Sequence, residues 1–213
     1  AIVFWAMLKW EAHEEEATRD KWLILIAYLL GLSVGVHLMS LLAVPAMALI
    51  YYFKKYTFSW KGVFIALFVG FLTLSFVYVG VVSIMINMIA KLDIFAVNSL
   101  GLPFDSGAAF MILLIGGSIT YTLFYAHKKG NRLIHTASLC VLFILIGFST
   151  YVIVIIRANA NPPINMNDPS DILKLQSYLN REQYGDRPLL YGPHFNAYPT
   201  DIKKIGKKYA KVG

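Results

Sequence analysis

"WLILIAYLLGLSVGVHLMSLLAVPAMALIYYFKK" occupies residues 22–55, and its first 32 residues carry no Asp, Glu, Lys or Arg. An uncharged apolar run of this length belongs in a bilayer, whose hydrocarbon core is about 30 Å thick and is crossed by about 20 helical residues. Backbone groups there have no water to bond, so helices are expected. As one helix the run would reach about 48 Å at about 1.5 Å per residue, and as two helices about 24 Å each. Gly31, Ser33 and Gly35 loosen its middle, and Pro45 removes one backbone donor from its second half. The reading is a hairpin of two short helices over 22–53, with its tip near Gly35–Ser40 on the outer side and below the membrane surface. His37 then either lines a water-filled hollow above the short helices or bonds a carbonyl of a neighbouring helix.

The rest of the chain repeats the pattern of apolar runs separated by charge. It is 58% hydrophobic and 15% charged. Residues 62–90, 107–126 and 133–156 read as further spans, and 1–10 as a partial one. The first ten residues, "AIVFWAMLKW", are too short to cross and have neither the basic region nor the cleavage site of a signal peptide. They read as the end of a helix begun upstream, and the chain as a piece of a longer protein. "KWEAHEEEATRDK" (9–21) reads as a solvated polar connector in which nothing fixes His13 and Glu14–Glu16 for a metal. "KLDIFAVNSLGLPFDSG" (91–107) reads as a loop, with Asp93 and Asp105 as rim or cap residues. Cys140, the sole cysteine, lies in a span as a small apolar filler.

Lys and Arg in short loops set orientation. Loops 54–61 ("KKYTFSWK") and 127–132 ("HKKGNR") are basic and are expected in the cytoplasm, which puts 91–107 and the tail from Arg157 outside. The net charge of +7 reflects this loop asymmetry and gives no reason to expect nucleic acid. Membrane lipids are the expected surroundings.

Residues 157–213 have a soluble character. Asp168-Pro169 has the form of an N-cap and first helical residue, and Ile172, Leu175 and Leu179 share one face, so 169–183 is expected to be helical and to end at Gly185. "PLLY" (188–191) is a strand candidate. Arg181, Tyr184, Arg187 and Tyr191 crowd behind that helix. Arg supplies forked donors for phosphate or carboxylate, and Tyr a flat face that suits a sugar ring. The alternative is a solvated helix end with local ion pairs.

Residues 22–55 and "SYLNREQYGDRPLLYGP" (177–193) resemble the bacterial branch of a multi-spanning family grouped with GT-C glycosyltransferases and related to the vertebrate transmembrane protein O-mannosyltransferase. The resemblance runs through most of the chain. It implies an all-α polytopic helix bundle of GT-C type over 1–156, under a partial α/β outward-facing segment over 157–213. It also implies transfer of sugar from a polyprenyl-phosphate donor to a protein or other acceptor outside a bacterial inner membrane. The family's catalytic acid belongs to a first external loop outside this chain, so the catalytic residue is left unassigned. His37, Arg157, Arg181, Tyr184, Arg187 and Tyr191 are the candidates for holding donor or lipid phosphate, with Arg157 best placed at the outer surface and Lys91 also near it. No metal-ligand spacing or nucleotide loop is present in the sequence, and no cofactor is expected beyond the lipid-linked sugar. Two other readings stand beside the enzyme. One is a non-catalytic subunit that uses the fold to hold partner chains. The other is a transporter, which would favour paired ionisable groups within the membrane.

Overall fold

The structure is a computed structural model that describes residues 1–35, 38–180 and 182–185. It is an all-α membrane protein. No strand occurs among the described residues, and the strand candidate 188–191 lies outside them.

Helix α1 (Ile2–Ala12) is followed by α2 (Glu16–Val34), so the polar connector read over 9–21 shrinks to the three residues between them. The long uncharged run is interrupted. Helix α2 ends at Gly35, a 3-10 turn covers Leu38–Leu42, and α3 runs Ala43–Lys55. Two of the four expected breakers, Gly31 and Pro45, act differently from the reading above. Gly31 lies inside α2, where it packs against α7, the helix of residues Arg132–Phe148. Pro45 is the third residue of α3, in the first turn, where the backbone donor has no partner within the helix. The break therefore falls on Gly35 and the turn after it.

Ser59 caps α4 (Trp60–Ser75) by accepting from the Gly62 amide. Helix α4 continues without a gap through a π-helical stretch, Phe76–Met85, into α5 (Ile86–Leu100). Bonding to the fifth residue widens the turn, and Val77, Val81, Val82 and Ile86 all reach the core. This unit has 41 residues, about 60 Å at about 1.5 Å per residue, twice the thickness of the hydrocarbon. The expected loop 91–107 is corrected accordingly: 91–100 are helical, and Gly101, at φ 65°, ends the helix in the left-handed conformation that glycine adopts freely. Helix α6 (Ser106–Lys128) returns along α5. A 3-10 turn, Ser149–Tyr151, then carries α7 into α8 (Val152–Asn159).

Trp60–Leu100, Ser106–Lys128 and Arg132–Asn159 are each long and apolar enough to cross a membrane. Phe64, Phe68, Leu113 and Leu133 on these helices are all more than 60% exposed, an apolar surface that suits hydrocarbon and not water.

The core forms where α1, α2, α3, α7 and the π stretch meet around Trp10, Leu30, Leu41, Val77 and Phe148. Close helix approach depends on glycine. A Cβ on Gly147 would lie 2.5 Å from the Leu32 nitrogen and the Tyr28 carbonyl oxygen, and Gly31 faces the Ile144 backbone from the other side. Small residues at such a crossing let two backbones approach and gain dispersion contacts that lipid cannot supply.

Candidate functional site

The bundle has two chemically distinct ends. At the basic end, Arg132 pairs with Glu16 and, at 2.8 Å, with Asp20, while Lys54 donates to the His13 carbonyl. These contacts gather residues 13–20, the end of α3 and the start of α7. The i, i+4 spacing of Glu16 and Asp20 is the signal that could have marked them as one helical face. Helices α2 and α7 run parallel from there. The Tyr151 hydroxyl donates to the Val34 carbonyl at 3.0 Å, which satisfies a carbonyl at the C-terminus of α2. The broken segment and α8 therefore lie together at the far end.

Three devices shape that end. The Asp93 carboxylate is 4% exposed and accepts from the Gly107 amide at 3.0 Å. It caps the N-terminus of α6 from α5, where the helix dipole favours negative charge, so the reading of Asp93 as a cap residue agrees with its position. Second, helix α9 (Ile172–Leu179) lies on α5, with Leu175 buried and Leu179 against the main core. The Asn87 side-chain oxygen takes amide donors from Gln176 at 2.8 Å and Asn180 at 3.3 Å. Third, the segment between α8 and α9 is tied back by the Asn159 amide on the Ser170 carbonyl and the Asn165 amide on the Ala158 carbonyl. The sequence contains no local signal for the Asn87 contact, because its partners are 89 and 93 positions away.

The expected cap of the tail helix moves by three residues. Asp171, not Asp168, accepts from the Lys174 amide and starts the helix at Ile172. Asp168 has φ 39° and bonds Lys174, Ser170 and Asn165. Lys174 holds the Asp168 carboxyl below its usual range, and the Lys174 ammonium is raised in return. The helix ends at Leu179, before a 3-10 turn at Glu182–Tyr184 and Gly185 at φ 66°.

Of the six candidate site residues, Arg157 and Tyr184 are described. Arg157 is exposed in the last turn of α8, where a cation also suits the helix dipole. Tyr184 is 60% exposed. No hydrogen bond, ion pair or ring contact joins the two among the described residues. His37, Arg181, Arg187 and Tyr191 lie outside the described residues. Among the described residues no group of three or more His, Cys, Asp or Glu is arranged to hold a metal ion.

Residues 1–60 match the family model described as the Protein O-mannosyl-transferase TMEM260 N-terminal domain. The match covers α1, α2, the break and α3, and relates that segment to the family. No curated protein and no solved structure matches the chain.

Proposed function

We propose that this chain is part of an integral-membrane glycosyltransferase of GT-C type that moves a sugar from a polyprenyl-phosphate donor to a protein or other acceptor. Transfer takes place outside the cytoplasmic membrane of a bacterium, with 157–213 on the periplasmic side. The observation that carries this reading is the match of residues 1–60 to an O-mannosyltransferase N-terminal domain, over the segment that contains the break. Helix α3 has 13 residues, about 20 Å, and stops short of a crossing. A shortened helix leaves room for a polar headgroup within the bundle mouth. The distribution of Lys and Arg supports the orientation.

In the transfer, the acceptor hydroxyl gives its proton to a carboxylate base, its oxygen bonds the anomeric carbon, and the bond from that carbon to the lipid phosphate oxygen breaks. The phosphate leaves with the electron pair, and a cation beside it lowers the barrier. Arg157 is the residue proposed for that contact, with Arg181 and Arg187 beside it, Tyr184 or Tyr191 against the sugar and His37 in the mouth. Asp93, Asp168, Asp171 and Glu182 are each engaged in a cap or local hydrogen bond. This favours none of them as the base and makes a non-catalytic subunit the second reading.

The test is transfer from polyprenyl-phosphate mannose and glucose in membranes that hold the full-length protein, normalised to folded protein. Arg157→Ala should lower transfer at least about tenfold, the scale of one charge-assisted phosphate contact, and Lys129→Ala at the opposite end should not. Equal activity of the two variants would remove the phosphate role of Arg157. No transfer by the wild-type protein from either donor, with the fold intact, would favour the non-catalytic subunit.

A further inference from the structure

Trp10 is 1% exposed and joins α1 to both following helices. Its ring stacks on Tyr51 with centroids 5.5 Å apart. Two cations from different helices converge on it. The Arg19 guanidinium carbon of α2 is 5.1 Å from the ring centroid, and the Lys54 ammonium of α3 is 5.3 Å away. Like charges gathered at one buried ring repel each other, and an aromatic face offsets only part of that cost.

Three of the acids near the pair are engaged elsewhere, and Glu11 and Glu14 form no ion pair with either cation among the described residues. Glu15 accepts from Thr18, and Glu16 and Asp20 hold Arg132. None of the ion pairs among the described residues includes Arg19 or Lys54. The Lys54 ammonium reaches one neutral acceptor, the His13 carbonyl, at a long 3.4 Å. Two further donors have nothing to bond: Trp10 Nε1 and Arg19 Nε are buried without a hydrogen-bond partner. Buried donors left unpaired are costly and uncommon, so such a group calls for a bound acceptor. An indole N–H, a guanidinium and an ammonium at one place call for an anion with several oxygens. A tetrahedral phosphate meets that demand, and arginine's fork matches it.

The position within the bundle points the same way. Trp5, Tyr56, Phe58 and Trp60 are 50%, 57%, 62% and 70% exposed around the basic end. Aromatic side chains of this kind sit at the headgroup level of a membrane. We propose that Arg19, Lys54 and the Trp10 indole form a binding site for one phosphate group at the basic end of the bundle, between α1, α2 and α3. The site is separate from the far end, where the transfer chemistry is proposed, and does not depend on that reading.

The test uses the protein in dodecyl maltoside micelles, which contain no phosphate. Dioleoylphosphatidylglycerol and inorganic phosphate are titrated separately, with thermal unfolding as the readout. At least one probe should raise the melting temperature. Arg19→Gln with Lys54→Gln should weaken the apparent affinity for that probe at least about tenfold, and Lys61→Gln should leave it unchanged. Trp10→Phe keeps a ring and removes the N–H, so it should weaken binding by a smaller factor; it carries the test if the double variant does not fold. A response to the lipid alone assigns the phosphate to a headgroup, and a response to inorganic phosphate assigns it to a soluble ion. If neither probe stabilises the protein, or if the variants that fold respond as the wild type does, the site is wrong.

Discussion

The two ends of the bundle are joined by different chemistry. At the basic end, charged side chains link helices far apart in sequence, Arg132 to Glu16 and Asp20, and cations lie over aromatic rings. At the far end the links between helices are mostly neutral: Tyr151 to the Val34 carbonyl, and Gln176 and Asn180 to Asn87. Asp93 is the buried acid there among the described residues, and it accepts from the Gly107 amide. Ion pairs exposed to water are worth little and fade with salt. Neutral bonds in a partly buried place keep their strength. The far end thus holds its shape while leaving Arg157 exposed, whereas the ion pairs of the basic end occupy Arg132, Glu16 and Asp20 and leave Arg19 and Lys54 without one.

Substitutions at the two ends and at the crossing between them test that contrast. The largest effect is expected at the crossing that serves both ends. Gly147→Val places a side chain against the backbone of α2 and should cost about 3 kcal/mol or more, measured by denaturant titration in micelles. A cost below about 1 kcal/mol would show that the two helices separate freely and that the ends are independent. Asn87→Leu comes next. It leaves the Gln176 and Asn180 amides without their acceptor and should cost about 1–2 kcal/mol. Hydrogen exchange should rise in 172–179 and stay unchanged in 16–34. The smallest effect is expected at the basic end: Arg132→Ala should lower the melting temperature less than Asn87→Leu does, and the difference from wild type should vanish near 1 M salt, where screening acts over about 3 Å. An Arg132→Ala defect that survives high salt would mean that the two ends do not differ in the way described.

Much of the helical plan was legible because membrane helices are limited by length. A run of 32 uncharged residues is too long for one crossing, and the break at Gly35 follows. The position of the break was less legible than its existence. Gly31 and Gly35 look alike in the sequence, but the Ile144 backbone packs on Gly31 and keeps it helical. Residues 91–107 read as a loop because Gly101 and Pro103 punctuate them, yet 91–100 continue α5. Its buried face, Ile89, Asp93 and Ala96, has helical spacing. An acid on that face looks like a break until α6 presents its free N–H groups to it. Likewise, Asp168-Pro169 has the local form of a cap, yet Lys174, Ser170 and Asn165 draw Asp168 into the preceding turn and leave the capping to Asp171.

For the candidate site, the residue types available can be read from the chain alone. So can the formation of helices, because the backbone in hydrocarbon must satisfy its own hydrogen bonds. Which polar groups are already occupied emerges when the helices pack. Asp93 is committed to α6, Asn87 to α9, and Glu16 and Asp20 to Arg132, while the Trp10 indole and Arg19 Nε have donors with no acceptor. The physical reason is separation along the chain. Hydrophobicity and helix propensity act between near neighbours and can be read locally, whereas these pairs join residues 14 to 116 positions apart and exist only once the helices have packed.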